Sequence, residues 1–145
     1  MRKIADIMST DCVTLSRQAS ITEAARIMKD RDIGFIPVVE GRRLVGVVTD
    51  RDLVIRGYAD NRSGSEPLDE VLSNDVRTIT SDMSVDDAAA VMAAEQIRRL
   101  PVVDDGQLEG IVSIGDLAVR EIFVNEAGEA LSEISEPGGS SSYAH

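Results

Sequence analysis

The sequence predicts an α/β (α+β) fold in which one helix-and-hairpin unit is used twice, the two copies being related by a pseudo-twofold axis. Three observations predict it. Residues 4–57 lie over residues 68–121 at a constant offset of 64 without gaps, and 17 of the 54 paired positions are identical. Each copy carries a capped stretch of helical periodicity, and each follows it with two β-branched runs separated by a glycine-containing turn. A unit of this length cannot bury its apolar face alone, so the copies pack together and any ligand site has a pseudo-symmetric twin.

The elements follow in order. Each copy opens with a short amphipathic turn of helix, Ile4 to Met8 and Pro67 to Leu72, the second with proline at a first helical position. A short strand is expected at Val13-Thr14-Leu15 and again at Thr78-Ile79-Thr80. Ser20-Ile21-Thr22-Glu23 has the form of a capping box, and Ser84-Val85-Asp86-Asp87 is a weaker copy of it. Behind these caps Ala24, Ile27 and Met28, with their counterparts Ala88, Val91 and Met92, fall at helical spacing and point to a shared core. Phe35 to Val39 and Leu44 to Val48 flank Glu40-Gly41-Arg42-Arg43, and Leu100 to Val103 and Leu108 to Val112 flank Asp104-Asp105-Gly106-Gln107, so each copy has a hairpin. Pro37 and Pro101, early in these hairpins, suit an edge strand or a strand start. A polar step, Thr49 to Asp52 or Ser113 to Asp116, then leads into an apolar helix. Residues 58–66 form the linker. The expected division is a first repeat at 1–62, a second at 63–125, and a tail at 126–145 that is acidic and then rich in glycine and serine.

Composition narrows the functional classes. At 145 residues the chain makes one domain or two half-size units sharing a core. No stretch approaches a membrane span and the N-terminus lacks the apolar run of a signal peptide, so a cytoplasmic protein is expected. Cys12, the single cysteine, permits no internal disulfide and reads as a small buried hydrophobe. The single histidine is His145, which argues against histidine acid–base chemistry and a histidine metal cage, and no metal site is expected. A net charge of -11 argues against nucleic acid and anionic membranes as partners. The charge is uneven: residues 1–57 carry 10 Lys or Arg and 8 Asp or Glu, whereas residues 58–145 carry 5 and 18. Within that acidic half Arg98-Arg99 is either an anion clamp or a pair of ion-pair partners for Asp104, Asp105 or Glu109.

The chemistry concentrates where each hairpin passes into its closing helix, at Gly46-Val47-Val48-Thr49-Asp50-Arg51-Asp52 and Gly110-Ile111-Val112-Ser113-Ile114-Gly115-Asp116. Glycine lets another group approach the backbone, the hydroxyl can donate to an oxyanion, and the aspartate can accept two hydrogen bonds from a vicinal diol. That combination suits a ribose with phosphate nearby. Hydroxyl and aspartate residues are also what helix N-termini prefer, and a duplicated cap repeats as faithfully as a duplicated site. Asp50 and Asp52 beside Thr49 resemble paired carboxylates, but capping explains them and Asp50 has Ile114 as its counterpart, so no enzyme is expected.

The ordered block of capped helix, Pro-Val-Val, acidic glycine turn and Leu-x-Gly-h-Val-[Thr/Ser]-x-x-Asp-Leu, present twice over residues 4–121, resembles the CBS-domain family, whose paired repeats form a Bateman module. The resemblance is to the small stand-alone kind. It implies a tandem pair of βαββα CBS repeats with a central cleft offering two sites, often for AMP, ADP or ATP, with S-adenosylmethionine or NAD as further candidates and no required cofactor. It also implies a homodimer. Carried over by position, Asp116 matches the aspartate that holds ribose hydroxyls, Ser113 the hydroxyl beside it, Ile111 an apolar contact to the base, and Arg98 and Arg99 a basic pair that meets phosphate. Val13 and Gly34 from the other repeat match positions lining the adenine slot. The twin site would use Asp52, Thr49 and Val47, closed by Arg77 and Arg98, but Gly34 and Phe35 stand where the arginine pair would be. Phe35 is then a base-stacking or a core aromatic. The implied function is a regulatory adenine-nucleotide sensor acting in trans on a partner protein; the alternative is a structural or interaction protein with no physiological nucleotide.

Overall fold

The computed structural model describes residues 2–118. The predicted acidic tail, His145 and the residues beyond 118 that the sequence assigns to the second closing helix lie outside them. Helix α1 (Ile21–Arg31) starts where the Ser20 hydroxyl accepts the Glu23 amide at 3.0 Å, and it ends at Asp32 in the left-handed region. Helix α3 (Val85–Glu95) repeats this, with Ser84 accepting from the Asp87 amide at 3.1 Å and Gln96 left-handed. Each serine thus makes one half of the expected capping box. Ala24 and Met28 on α1, and Ala88 and Met92 on α3, are buried as their spacing predicts.

The hairpins are β1 (Phe35–Glu40) with β2 (Arg43–Thr49), and β3 (Arg99–Asp104) with β4 (Gln107–Ser113). Their two-residue turns need positive φ, which Gly41 supplies in the first and Asp105 with Gly106 in the second. The four strands make one antiparallel sheet in the order β1-β2-β4-β3, joined through Arg43 and Gln107. Pro37 and Pro101 are therefore on edge strands, where a missing N–H costs no central ladder bond.

Three expectations change. The short strands at residues 13–15 and 78–80 reduce to single parallel bridges, Leu15 with Val38 and Ile79 with Val102, because the edges they meet are irregular just beyond those residues. The opening turns are 3₁₀ turns, Ile4–Asp6 and Leu68–Glu70, and Pro67 caps the second from outside it. The first closing helix is a single α turn, α2 (Asp50–Asp52), that continues as a π-helix, Leu53–Tyr58. The second closing helix is α-helical over residues 114–118.

The two copies exchange their opening turns. Ile4 fills the core of the second copy with Ile79, Met92, Leu100 and Val112, whereas Leu68, Val71 and Leu72 fill that of the first with Leu15, Met28, Ile36 and Val48. Burying one such side chain is worth about 1.5–3 kcal/mol, so each copy's core is completed by residues of the other. The segments after these turns cross to the opposite hairpin. Ser9 exchanges both backbone hydrogen bonds with Ile111 at 2.8 and 3.0 Å, and Ser73 does so with Val47 at 2.7 and 3.0 Å. Among the described residues no helix is long and apolar enough to cross a membrane.

Candidate functional site

A cleft of about 540 Å³ opens where the first crossing segment meets β4. Its walls are Ser9, Asp11, Cys12 and Val13 from that segment, Arg31, Ile33 and Phe35 from the end of α1 and the start of β1, and Arg99, Ile111, Ser113 and Asp116 from the second copy. Six residues expected from sequence thus share one surface: Val13, Phe35, Arg99, Ile111, Ser113 and Asp116. Phe35, expected in the twin, lies on this wall with its own pseudo-symmetric counterpart Arg99, so the cleft reaches towards the pseudo-twofold axis.

The step into the closing helix is a complete reciprocal cap in both copies. Ser113 Oγ accepts the Asp116 amide at 3.1 Å while Asp116 Oδ2 accepts the Ser113 amide at 2.9 Å. Thr49 and Asp52 do the same at 3.1 and 3.0 Å. Capping therefore engages both residue types, and it fixes the carboxylate orientation rather than consuming it. Asp116 stays half-buried at the cleft, and among the described residues its Oδ1 accepts no bond. Asp52 differs: it is buried, and the Ser73 hydroxyl lies 3.2 and 3.3 Å from its two oxygens. Asp50, its neighbour, accepts the Arg51 amide at 2.8 Å.

The twin cleft, about 510 Å³, is lined by Asp75, Val76, Arg77, Thr78, Glu95 and Ile97. Arg77 is there as expected, but Asp52, Thr49, Val47 and Arg98 are not. Val47 is buried by its backbone pairing with Ser73, and Asp52 is covered by the Ser73 side chain. Arg77 pairs with Glu95 at 3.4 Å. Arg98 is exposed one residue before β3, off the wall that Arg99 lines, and its carbonyl accepts the Ile114 amide at 2.8 Å. Gly34 is likewise off the wall: its carbonyl accepts the Asp50 amide at 3.1 Å, and a Cβ there would lie 3.0 Å from the Asp50 carboxylate.

Sequence reading missed Ser9, Asp11, Arg31 and Ile33, although Ser9, Asp11 and Ile33 are identical to Ser73, Asp75 and Ile97. It also placed Cys12 in the core, whereas the thiol is half-buried on the cleft wall because the segment carrying it runs along the cleft rather than through the sheet. Burial pushes the Cys12 thiol up, and the Asp11 charge adds to this. The glycines of the repeated step also have another cause. A Cβ on Gly46 would stand 2.6 Å from the Ser73 carbonyl oxygen, and one on Gly110 would stand 2.6 Å from that of Ser9. What approaches the glycine is the other copy's backbone, not a ligand.

With exchanged opening turns, a duplicated hairpin and a cleft between the copies, comparison with known proteins is decisive. The CBS domain model matches residues 4–57 and 68–121. The chain belongs to the CBS-domain family. It is 45% identical over 135 residues to the CBS domain-containing protein YhcV of Bacillus subtilis, covering 93% of this chain and 96% of the relative. A Vibrio cholerae structure described as an acetoin utilization protein, AcuB, superposes with a TM-score of 0.80 at 31% identity, over 94% of this chain and 99% of that one. The CBS domain pair of protein MJ0100, solved with 5′-methylthioadenosine and S-adenosyl-L-methionine, superposes with a TM-score of 0.71 at 30% identity, over 87% and 98%. This CBS pair therefore has tandem CBS repeats in an α+β fold, like its relatives.

Proposed function

We propose that this CBS pair is a cytoplasmic, non-catalytic regulatory module that binds an adenine nucleotide in the larger cleft and acts in trans on a partner protein. The observation that carries the reading is the convergence in one cleft of Asp116 and Ser113, apolar Val13, Ile33 and Ile111, and cationic Arg31 and Arg99. Asp116, held by its cap with one oxygen facing no described donor, suits a ribose diol; the apolar residues suit a base; the arginines suit phosphate. A cleft of about 540 Å³ falls in the range of small-molecule sites. The binding of 5′-methylthioadenosine and S-adenosyl-L-methionine by the MJ0100 pair supports an adenosine-containing ligand. Coupling to a partner requires different ligand affinity in two states of the pair or of its dimer.

A homodimer completes the proposal. Val54, Ile55, Tyr58 and Ile114 are large apolar residues left exposed on the closing helices.

A melting screen against AMP, ADP, ATP, NAD and S-adenosylmethionine tests the reading. A ligand at 100 times its dissociation constant adds about 2.7 kcal/mol of stability. No stabilisation by any of them at millimolar concentration overturns it in favour of a CBS pair that serves interaction alone.

A further inference from the structure

We infer that Arg31 is a specificity-determining residue that makes the larger cleft selective for phosphorylated adenosine compounds and leaves one such site per chain. The inference rests on the adenosine reading of that cleft. It deepens it through an arginine that lies outside the repeated step and outside the Arg98-Arg99 pair.

Arg31 closes the last turn of α1, and its exposed side chain lines the same cleft as the second copy's Arg99. Among the described residues it makes no ion pair, whereas Arg17, Arg42, Arg62 and Arg77 each have a carboxylate partner within 4 Å. Two cations from different copies thus line a surface that also carries the ribose-type carboxylate and Asp11, whose counterpart Asp75 lines the smaller cleft, so the arginines and not these aspartates distinguish the two. The pseudo-symmetric position of Arg31 is Glu95, and that of Arg99 is Phe35. Duplication would have produced two equal clefts, but the charge at this position has reversed and the second cation is gone. In the smaller cleft Glu95 neutralises Arg77, which stands where the larger cleft has Val13. A phosphate entering there meets a carboxylate and an arginine already paired, while Asp52 is turned to Ser73. Charge-assisted bonds from guanidinium to phosphate are the strong ones, so this reversal decides which cleft accepts an anion.

Titration calorimetry of the full chain with AMP, ADP and ATP, and with adenosine and 5′-methylthioadenosine as uncharged probes, tests it. Wild type is expected to take one AMP per chain. Arg31→Gln should weaken AMP about tenfold and adenosine less than about twofold, and Arg31→Glu, which installs the smaller cleft's residue, should weaken AMP further. Melting curves establish that the variants are folded. Equal losses for AMP and adenosine, no loss for either, or two AMP per chain overturn the inference while leaving an adenosine site in place. If wild type binds none of the five compounds, the reading of the cleft falls and the role of Arg31 with it.

Discussion

Ser73 reaches from one copy into the other, its hydroxyl 3.2 Å from Oδ1 and 3.3 Å from Oδ2 of the buried Asp52 carboxylate. The pseudo-symmetric pair, Ser9 and Asp116, lines the open cleft instead. One duplicated pair thus holds the copies together on one side and lines an open cleft on the other. Asp52→Ala should therefore act on stability, costing about 1–3 kcal/mol because it removes a carboxylate that serves both a cap and a cross-copy bond. Asp116→Ala should cost about 1 kcal/mol of stability and weaken adenine nucleotide binding about tenfold, or 1.4 kcal/mol. Denaturant unfolding and titration calorimetry on the same variants separate the two; greater loss of binding from Asp52→Ala would reverse the assignment.

Gly110→Ala should destabilise the fold by about 1–3 kcal/mol, the range for forcing atoms into a packed site. The intruding methyl would sit 2.6 Å from the Ser9 carbonyl oxygen, a backbone atom fixed by its bonds to Ile111. Gly57→Ala is the contrast, because the nearest atoms to its Cβ belong to Ile21 at 3.9 and 4.0 Å. In that helical position alanine should stabilise by about 0.5–1 kcal/mol. Equal effects at the two glycines in chemical denaturation would remove the cross-copy explanation.

The hairpins and main helices were legible because each is specified locally, by Ser20 and Ser84 at the caps and by glycines at the turns. The cap at Ser113 and Asp116 was legible as a pattern, but its second face was not. Whether an aspartate meets Ser73 or open space depends on a segment that is distant in sequence and enters from the other copy. The same holds for Arg31 and Cys12, whose neighbourhood is set by the exchange of the opening turns. Arg98 and Arg99 show the limit most plainly: adjacent in sequence, they part at the first residue of β3, so that only Arg99 lines the cleft.

Acid should expose a difference between the copies. The Asp104 carboxyl is held below the usual carboxylate range chiefly by the Ser81 hydroxyl at 2.6 Å and then by the Ser81 amide at 3.0 Å. At the equivalent positions in the first copy, Arg17 pairs with Glu40 at 3.3 Å. A folded pKa below the unfolded value of about 3.9 gives stability that is complete above roughly pH 5 and is lost as pH falls through the folded value. Asp104→Asn should therefore melt below wild type at pH 6, with the gap closing towards pH 3. A gap independent of pH would show that the carboxylate charge contributes nothing.

Cys12 offers a footprint of the cleft. Burial and Asp11 keep its thiol protonated beyond the ordinary range, so alkylation by iodoacetamide should be slow at pH 7 and still be rising with pH above about 8.5, the ordinary thiol value. Because the thiol lies on the same wall as Val13, a saturating adenine nucleotide should slow the reaction severalfold. Mass spectrometry of the modified peptide reads this directly. An unchanged rate at a concentration that saturates calorimetric binding would place the ligand elsewhere.

Assembly is the remaining test, and the closing helices direct it. Val54 and Tyr58 are 60% and 85% exposed on the π-helix, and Ile114 is 48% exposed at the equivalent helix of the second copy. Surfaces of this kind usually mark an interface, and the commonest closed solution is a twofold dimer in which each patch meets its own copy. Sedimentation of wild type at micromolar concentration should give a dimer. Val54→Glu combined with Ile55→Glu puts like charges into that contact and should give a folded monomer, since both side chains point to solvent within one chain and removing them opens no core. A monomeric wild type across this range would refute the dimer. A dimer that survives both glutamates would move the interface away from the π-helix.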